Sequence, residues 1–350
     1  MAAVVKPDAR GLRVLLAGYG AFGAVHARAW ADLGFADRLT IAEPDREGRA
    51  RAAATLPRAR VVADWRAALG DVDVVDIVTP SDTHLEIALA ALDAGRDVMI
   101  EKPMTMSRAE ATKIAAHSRA TDRIVQVGYV LRTHPAARRL RDIVRSGEIG
   151  TPTWVAADFM CLKRPRRDAG VVLNDAVHVL DLVLWAIGRP PDEVSAMAAD
   201  QLGRGVEDIV SIGLAWRDGP IGRVEASCIV AGEHADPYVP GGVARKRVSV
   251  TGDSGQVVAD FMTDSLEFRR CRLRRTADGW WAPDVAPATT TSFAAMAPHE
   301  NVAAELAGFV EAVTTRTQPD ADVRSGVTMA AVCDAIFAAV RERRTIAVAA

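Results

Sequence analysis

The chain of 350 residues is long enough for about two domains of ordinary size. Hydrophobic residues make up 49% and charged residues 25%, which excludes a disordered chain and leaves ample material for a buried core. Lys and Arg number 43 against 45 Asp and Glu, a formal net charge of −2, so no overall basic excess points to nucleic acid as a partner.

In chain order, short apolar runs come first. Strands are expected at Leu12–Ala17, Leu39–Glu43, Arg60–Val62, Val74–Val78, Asp97–Ile100 and Ile124–Val127. Between them lie helical patterns such as Phe22–Leu33, Thr83–Ala94 and Arg108–Arg119. This alternation implies right-handed crossovers and a parallel sheet. After Gly128 the pattern changes. A helix is expected at Pro135–Ser146, with proline at its start and Gly147 beyond its end. A strand at Thr153–Cys161, a basic loop and a helix at Val171–Ile187 follow. Strands then come in series: Glu193–Gln201, Asp208–Trp216, Gly222–Ile229, Arg247–Thr251, Gln256–Asp260 and Ser265–Arg269. Strands without intervening helices predict a large, mainly antiparallel sheet. The span Ala277–Pro298 reads as loop, and helices near Asn301–Thr315 and Val323–Arg344 close the chain.

Cys161, Cys228, Cys271 and Cys333 form no CxxC pair and have no close histidine, so neither a disulfide framework nor a metal site is expected. Their use fits a reducing cytoplasm. The polar N-terminus does not read as a signal peptide, and no membrane span is expected.

The strongest chemical signal is Gly18-Tyr19-Gly20-Ala21-Phe22-Gly23, a G-x-G-x-x-G between a strand and a helix. Gly18 allows the tight turn, Gly20 lets a pyrophosphate approach the backbone, and Gly23 lets helix and strand pack closely. The helix start then offers unpaired N–H groups to phosphate. Glu43 ends the second strand twenty residues after Gly23, where a carboxylate accepts hydrogen bonds from the adenosine ribose. Its charge repels a 2′-phosphate and favours NAD over NADP; Arg46, three residues on, keeps NADP open.

Thr79, Pro80 and His84 follow the fourth strand, and Glu101-Lys102-Pro103 closes the fifth. Both lie at carboxyl ends of parallel strands, where open α/β sheets bind ligands. His84 is either a site residue or an ordinary early-helix histidine. Lys102 is either a crevice residue or a surface lysine before a proline turn.

Together these pieces resemble the glucose–fructose oxidoreductase / inositol dehydrogenase / rhizopine catabolism (Gfo/Idh/MocA) family. The matching residues are the glycine loop with His26, Thr79-Pro80 with His84, Glu101-Lys102-Pro103, Gly128 with Arg132 and Pro135, Ser146 through Gly150, and the helix bearing His178 and Asp181. The resemblance implies an N-terminal Rossmann domain, a doubly wound parallel sheet, over residues 1–128. It implies a C-terminal α+β domain with a large, mainly antiparallel open sheet over 129–350, used for substrate binding and assembly into a homodimer or homotetramer. It implies NAD(P)-linked hydride transfer at a secondary alcohol of a sugar, nucleotide sugar or cyclitol, with Lys102 and His178 as the catalytic pair and the motif residues as the cofactor site.

Many relatives carry aspartate four residues before that histidine; here Asn174 stands there, with Asp175 one later. Asparagine hydrogen-bonds a substrate hydroxyl but removes no proton. Asp175 either substitutes or faces solvent. Ahead of the helix, Lys163, Arg164, Arg166 and Arg167 place four cations in five positions. They read as a site for a phosphorylated or nucleotide-linked substrate, or as a solvated loop. Arg132 and His134 have both a substrate-contact and a structural reading. Two alternatives to a dehydrogenase remain: an NAD-assisted glycoside-cleaving enzyme with transient sugar oxidation, and a dinucleotide-binding sensor without turnover.

Overall fold

The computed structural model describes residues 11–166 and 169–349. The chain divides into two compact units, residues 1–130 with 296–330 and residues 131–295 with 331–350.

In the first unit the order is β1 (Val14–Ala17), α1 (Ala21–Asp32), β2 (Leu39–Ala42), α2 (Arg46–Thr55), β3 (Arg60–Val62), β4 (Val74–Ile77), α3 (His84–Asp93), β5 (Asp97–Glu101), α4 (Arg108–Thr121) and β6 (Val125–Gly128). The six strands form one parallel sheet in the order β3-β2-β1-β4-β5-β6. This is the doubly wound Rossmann arrangement, with its switch point between β1 and β4. Every residue of β1, β2, β4, β5 and β6 is buried, as a parallel sheet covered on both faces requires. Local chemistry sets the helix starts: Asp45 accepts from the Gly48 N–H at 2.6 Å, and Ser107 from the Glu110 N–H at 3.3 Å.

The second unit contains α5 (Pro135–Arg145), β7 (Pro152–Leu162), a π-helical turn (Val172–Ala176) running into α6 (Val177–Ile187), β8 (Glu193–Ala199), β9 (Ile209–Ala215), β10 (Ile221–Ser227), β11 (His234–Ala235), β12 (Val243–Gly252), β13 (Gly255–Asp260), β14 (Ser265–Arg275), β15 (Trp281–Val285) and β16 (Thr289–Ser292). Next come α7 (Pro298–Thr315), which belongs to the first unit, α8 (Val323–Glu342), and β17 (Ile346–Ala347). The second sheet has eleven strands along the path β15-β14-β13-β12-β7-β10-β9-β8-β17, with β11 beside β12 and β16 beside β14. Among the described residues of this sheet only β7 and β10 pair in parallel; the other pairings are antiparallel. Burial alternates along β9 and β12, so one face of the sheet carries the apolar packing.

Two expectations need correction. The predicted break after residue 128 lies close to the observed one after Val130, but residues 296–330 return to the first unit. Val302, Leu306, Phe309, Val310 and Val313 of α7 join the cluster built on Trp30, Phe35 and Leu39. An apolar helix face is visible in the sequence; its partner is not. The span read as loop holds β15 and β16, with Arg272 opposite Asp284 and Leu266 opposite Thr291. These strands are mostly exposed, so no inside–outside alternation marks them. Helix α8 meets the length and hydropathy criterion for a membrane span, but half of that stretch is buried within the molecule, as in a core helix.

Candidate active site

In the first unit the glycine loop follows β1. Gly18 has φ +97°, and a Cβ there would lie 2.8 Å from the Val78 carbonyl oxygen. A Cβ at Gly23 would lie 2.3 Å from the Gly18 oxygen, whereas one at Gly20 would meet nothing within 4 Å. Two glycines are therefore demanded by packing, and the third leaves open space where a pyrophosphate approaches. No side chain caps the start of α1, so its first N–H groups remain available to a phosphate. Tyr19 is buried in the apolar core and Phe22 packs against it, so both serve the loop through their backbone.

Glu43 accepts from the Tyr19 N–H at 2.7 Å and from the Asp45 N–H at 2.9 Å, one bond on each oxygen. A carboxylate has about four acceptor positions, so each oxygen retains capacity for a ribose hydroxyl. Arg49 donates to the carbonyls of Glu43 and Pro44, while Arg46 is exposed at the start of α2. The residues present fit a dinucleotide.

At the end of β4 the Thr83 hydroxyl lies 2.7 Å from the Thr79 hydroxyl and 2.7 Å from the Pro80 carbonyl. The ring of His84 is buried, with Nε2 2.9 Å from the Thr79 carbonyl and Nδ1 3.1 Å from that of Pro103. Burial holds His84 below its ordinary pKa, against the opposing pull of these carbonyls and of Glu101. His84 thus ties the two loops together and directs neither nitrogen to a ligand. Glu101 accepts from the Lys102 N–H at 3.1 Å, and Lys102 is half-buried beyond the strand end.

In the second unit, Asn174 and His178 are only half-buried while residues 175–177 between them are buried. The His178 ring stacks on Phe159, with centroids 5.4 Å apart and planes 15° from parallel. Asp175 does not face solvent: it is buried, pairs with Lys163 and accepts from Asn174 Nδ2 at 3.0 Å. The π-helical turn inserts one residue into the helix start, and such turns recur at functional sites. Phe159 also lies under two ammonium groups, Lys163 at 5.4 Å and Lys246 at 4.7 Å from its centroid. Lys246 pairs with Asp236 at 2.9 Å, both side chains nearly fully buried. Cys161 stands 3.7 Å from the same carboxylate, and burial pushes its thiol up to about 12.

The basic loop divides. Lys163 turns inward to Asp175, and Arg164 and Arg166 are exposed. Arg167 lies outside the described residues. Arg132 is corrected from a substrate ligand to a structural clamp: its Nε and Nη2 donate to the two oxygens of Asp181 at 2.8 and 2.6 Å, with both side chains over 90% buried. His134 caps α5 through the Ala136 N–H and contacts Asp264 at 2.9 Å, so its structural reading holds.

Lys246, Asp236 and Phe159 were not singled out by the sequence, because nothing in their spacing joins β7 to β12. Asp76 had a readable signal, an acid inside the apolar run of β4.

A Rossmann sheet with a glycine loop after β1, Glu43 after β2 and Lys102 after β5, followed by a second unit bearing His178, is the arrangement of an NAD-binding oxidoreductase class. The comparisons agree. Residues 12–129 match the oxidoreductase family with an NAD-binding Rossmann fold, and residues 137–258 match the GFO/IDH/MocA C-terminal domain. The chain belongs to the GFO/IDH/MocA oxidoreductase family. It is 30% identical over 223 residues to the UDP-N-acetylglucosamine 3-dehydrogenase of Acidithiobacillus ferrooxidans, 63% of this chain and 68% of that protein. It is 34% identical to an inositol 2-dehydrogenase of Acidothermus cellulolyticus, covering 54% of this chain but only 57% of that protein. Among solved structures, levoglucosan dehydrogenase in complex with NADH and levoglucosan aligns over 97% of this chain and 100% of that one, with TM-score 0.81 at 21% identity.

Proposed function

We propose that this chain is an NAD-dependent oxidoreductase that moves a hydride between the nicotinamide and a secondary alcohol or ketone carbon of a sugar, nucleotide sugar or cyclitol. The observation that carries this reading is the gathering of Gly18–Gly23, Glu43, Thr79 and Lys102 along one end of a single parallel sheet, at its switch point. The similar proteins named for UDP-N-acetylglucosamine, inositol and levoglucosan support the substrate class.

The bound cofactor supplies the hydride acceptor or donor. The protein's own part is proton handling and orientation. A C–H(OH) carbon gives up its hydride only as the hydroxyl proton leaves, and His178 takes that proton as a general base. Lys102 donates to the same oxygen and steadies its developing charge. Asn174 offers a donor and an acceptor to a neighbouring hydroxyl and leaves the proton to His178.

Among substrate classes the second unit favours a neutral polyhydroxylated ring. Lys163 and Lys246 are each compensated by a buried carboxylate, so neither has a charge to spare for a phosphate. The exposed Arg164 and Arg166 add little in high dielectric. We place the enzyme in the cytoplasm as a homodimer or homotetramer built on the open face of the large sheet, where Trp154 and Ile221 stand side by side, 37% and 57% exposed.

Calorimetric titration tests the cofactor assignment. NAD(H) is expected to bind more tightly than NADP(H). Glu43→Ala removes charge-assisted acceptors of about 1.5–3 kcal/mol and is expected to weaken NAD about 10- to 100-fold while narrowing the gap. NADP(H) binding as tightly as NAD(H) to the wild type would overturn the assignment and point to Arg46.

A further inference from the structure

We propose that His26, held between Asp76 and Glu101, is a positioning residue for Lys102: the buried imidazole fixes the Glu101 carboxylate, and that carboxylate fixes the backbone that carries Lys102. The proposal rests on the reading that Lys102 acts on the substrate oxygen.

The three groups come from three elements. His26 lies on α1, which begins at the glycine loop; Asp76 lies on β4, which leads to Thr79; Glu101 is the last residue of β5. His26 Nδ1 is 2.8 Å from Asp76 Oδ2, and its Nε2 is 3.3 Å from Glu101 Oε1, an ion-pair contact rather than a well-aligned hydrogen bond. Trp30 Nε1 donates to the same Asp76 oxygen at 2.8 Å. His26 and Asp76 are fully buried and Glu101 nearly so.

A ring with carboxylates at both nitrogens keeps both protons. Burial opposes the charge, but Asp76 and then Glu101 outweigh it and push His26 up to about 10. The imidazolium therefore holds one Glu101 oxygen, and the other accepts the Lys102 N–H. On the far side, β6 places Gly128 opposite Glu101, and a Cβ there would lie 2.3 Å from Oε1. The carboxylate is thus boxed in by an imidazolium, a main-chain N–H and a glycine.

A buried ionic cluster gains little stability over apolar residues of the same volume. Its location, where three ligand-side loops are rooted, suits a supporting shell, whose function is to hold a reactive group within a fraction of an ångström.

The test is competitive acetylation of the full-length protein by acetic anhydride. Mass spectrometry reads the Lys102 rate against that of Lys113, which is exposed on α4. In His26→Gln the Lys102/Lys113 ratio is expected to shift by at least about threefold, the equivalent of half a pKa unit. Turnover of a polyol substrate is expected to fall about 10- to 100-fold, as small misplacements do, with NAD affinity within about threefold of wild type. Glu101→Gln, which keeps the shape and an acceptor for the Lys102 N–H, is expected to shift the ratio in the same direction by less, and it replaces His26→Gln if that variant fails to fold. An unchanged ratio in the folded variant, or parallel loss of NAD affinity and turnover, would overturn the proposal. Absence of turnover by wild type would count against the proposed function, while the acetylation ratio would still decide the positioning role.

Discussion

The two units are built in opposite ways. In the first, strands of four or five residues are covered on both faces, and the site residues sit where those strands stop. The glycine loop takes its turn from its own backbone, with Gly18 at φ +97°, and the Lys102 N–H is held by Glu101 beside it. In the second, strands of up to eleven residues have one packed face. His178, Phe159, Lys163 and Lys246 are brought together by β7, the π-helical turn that soon follows it, and β12 much further along the chain. Turns at strand ends shape the glycine-loop end of the first unit, whereas strand pairing gathers the residues around Phe159, and substitutions should divide accordingly.

The largest expected effect is on turnover. Lys102→Ala and His178→Ala should each lower kcat by about 10²- to 10⁴-fold while NAD affinity, measured by titration, stays nearly constant. Loss of NAD binding in His178→Ala would break the division between the units. Next is stability. Arg132→Ala leaves Asp181 buried without its partner, and breaking a buried pair costs about 3–5 kcal/mol. Denaturant unfolding should record that loss, with KM for substrate little changed wherever the variant remains folded. A tenfold rise in KM at normal stability would return Arg132 to the substrate site.

The smallest expected effect sharpens the substrate side. Arg164→Ala/Arg166→Ala should change KM by less than about threefold, because exposed ion pairs are worth about 0–1 kcal/mol. A tenfold or larger rise confined to phosphorylated or nucleotide-linked sugars would show that the loop reads an anion.

The same contrast explains what was legible in the sequence. The parallel sheet, the glycine loop, Glu43 and the Glu101-Lys102 strand end were all readable, because a local pattern carries each of them. The helix α7 was readable as well, but its place in the first unit was not, since its partners Trp30 and Phe35 lie more than 260 residues away. In the second unit the strands in series and the helix of His178 were readable. The inward turn of Lys163 was not, because four neighbouring cations look alike until one of them finds a buried carboxylate. Arg132 was ambiguous for the same reason: its partner Asp181 lies 49 residues further on. The β14–β15 ribbon escaped because its exposed arginines and tryptophans carry no alternation.

The most direct measurement is NADH accumulation at 340 nm with NAD present, across inositols, free sugars and nucleotide-linked sugars. Steady NADH formation on a neutral ring alcohol, lost in both Lys102→Ala and His178→Ala, is the predicted result. NAD binding without NADH release on any of these compounds would contradict the account and leave a glycoside-cleaving enzyme or a dinucleotide sensor in its place.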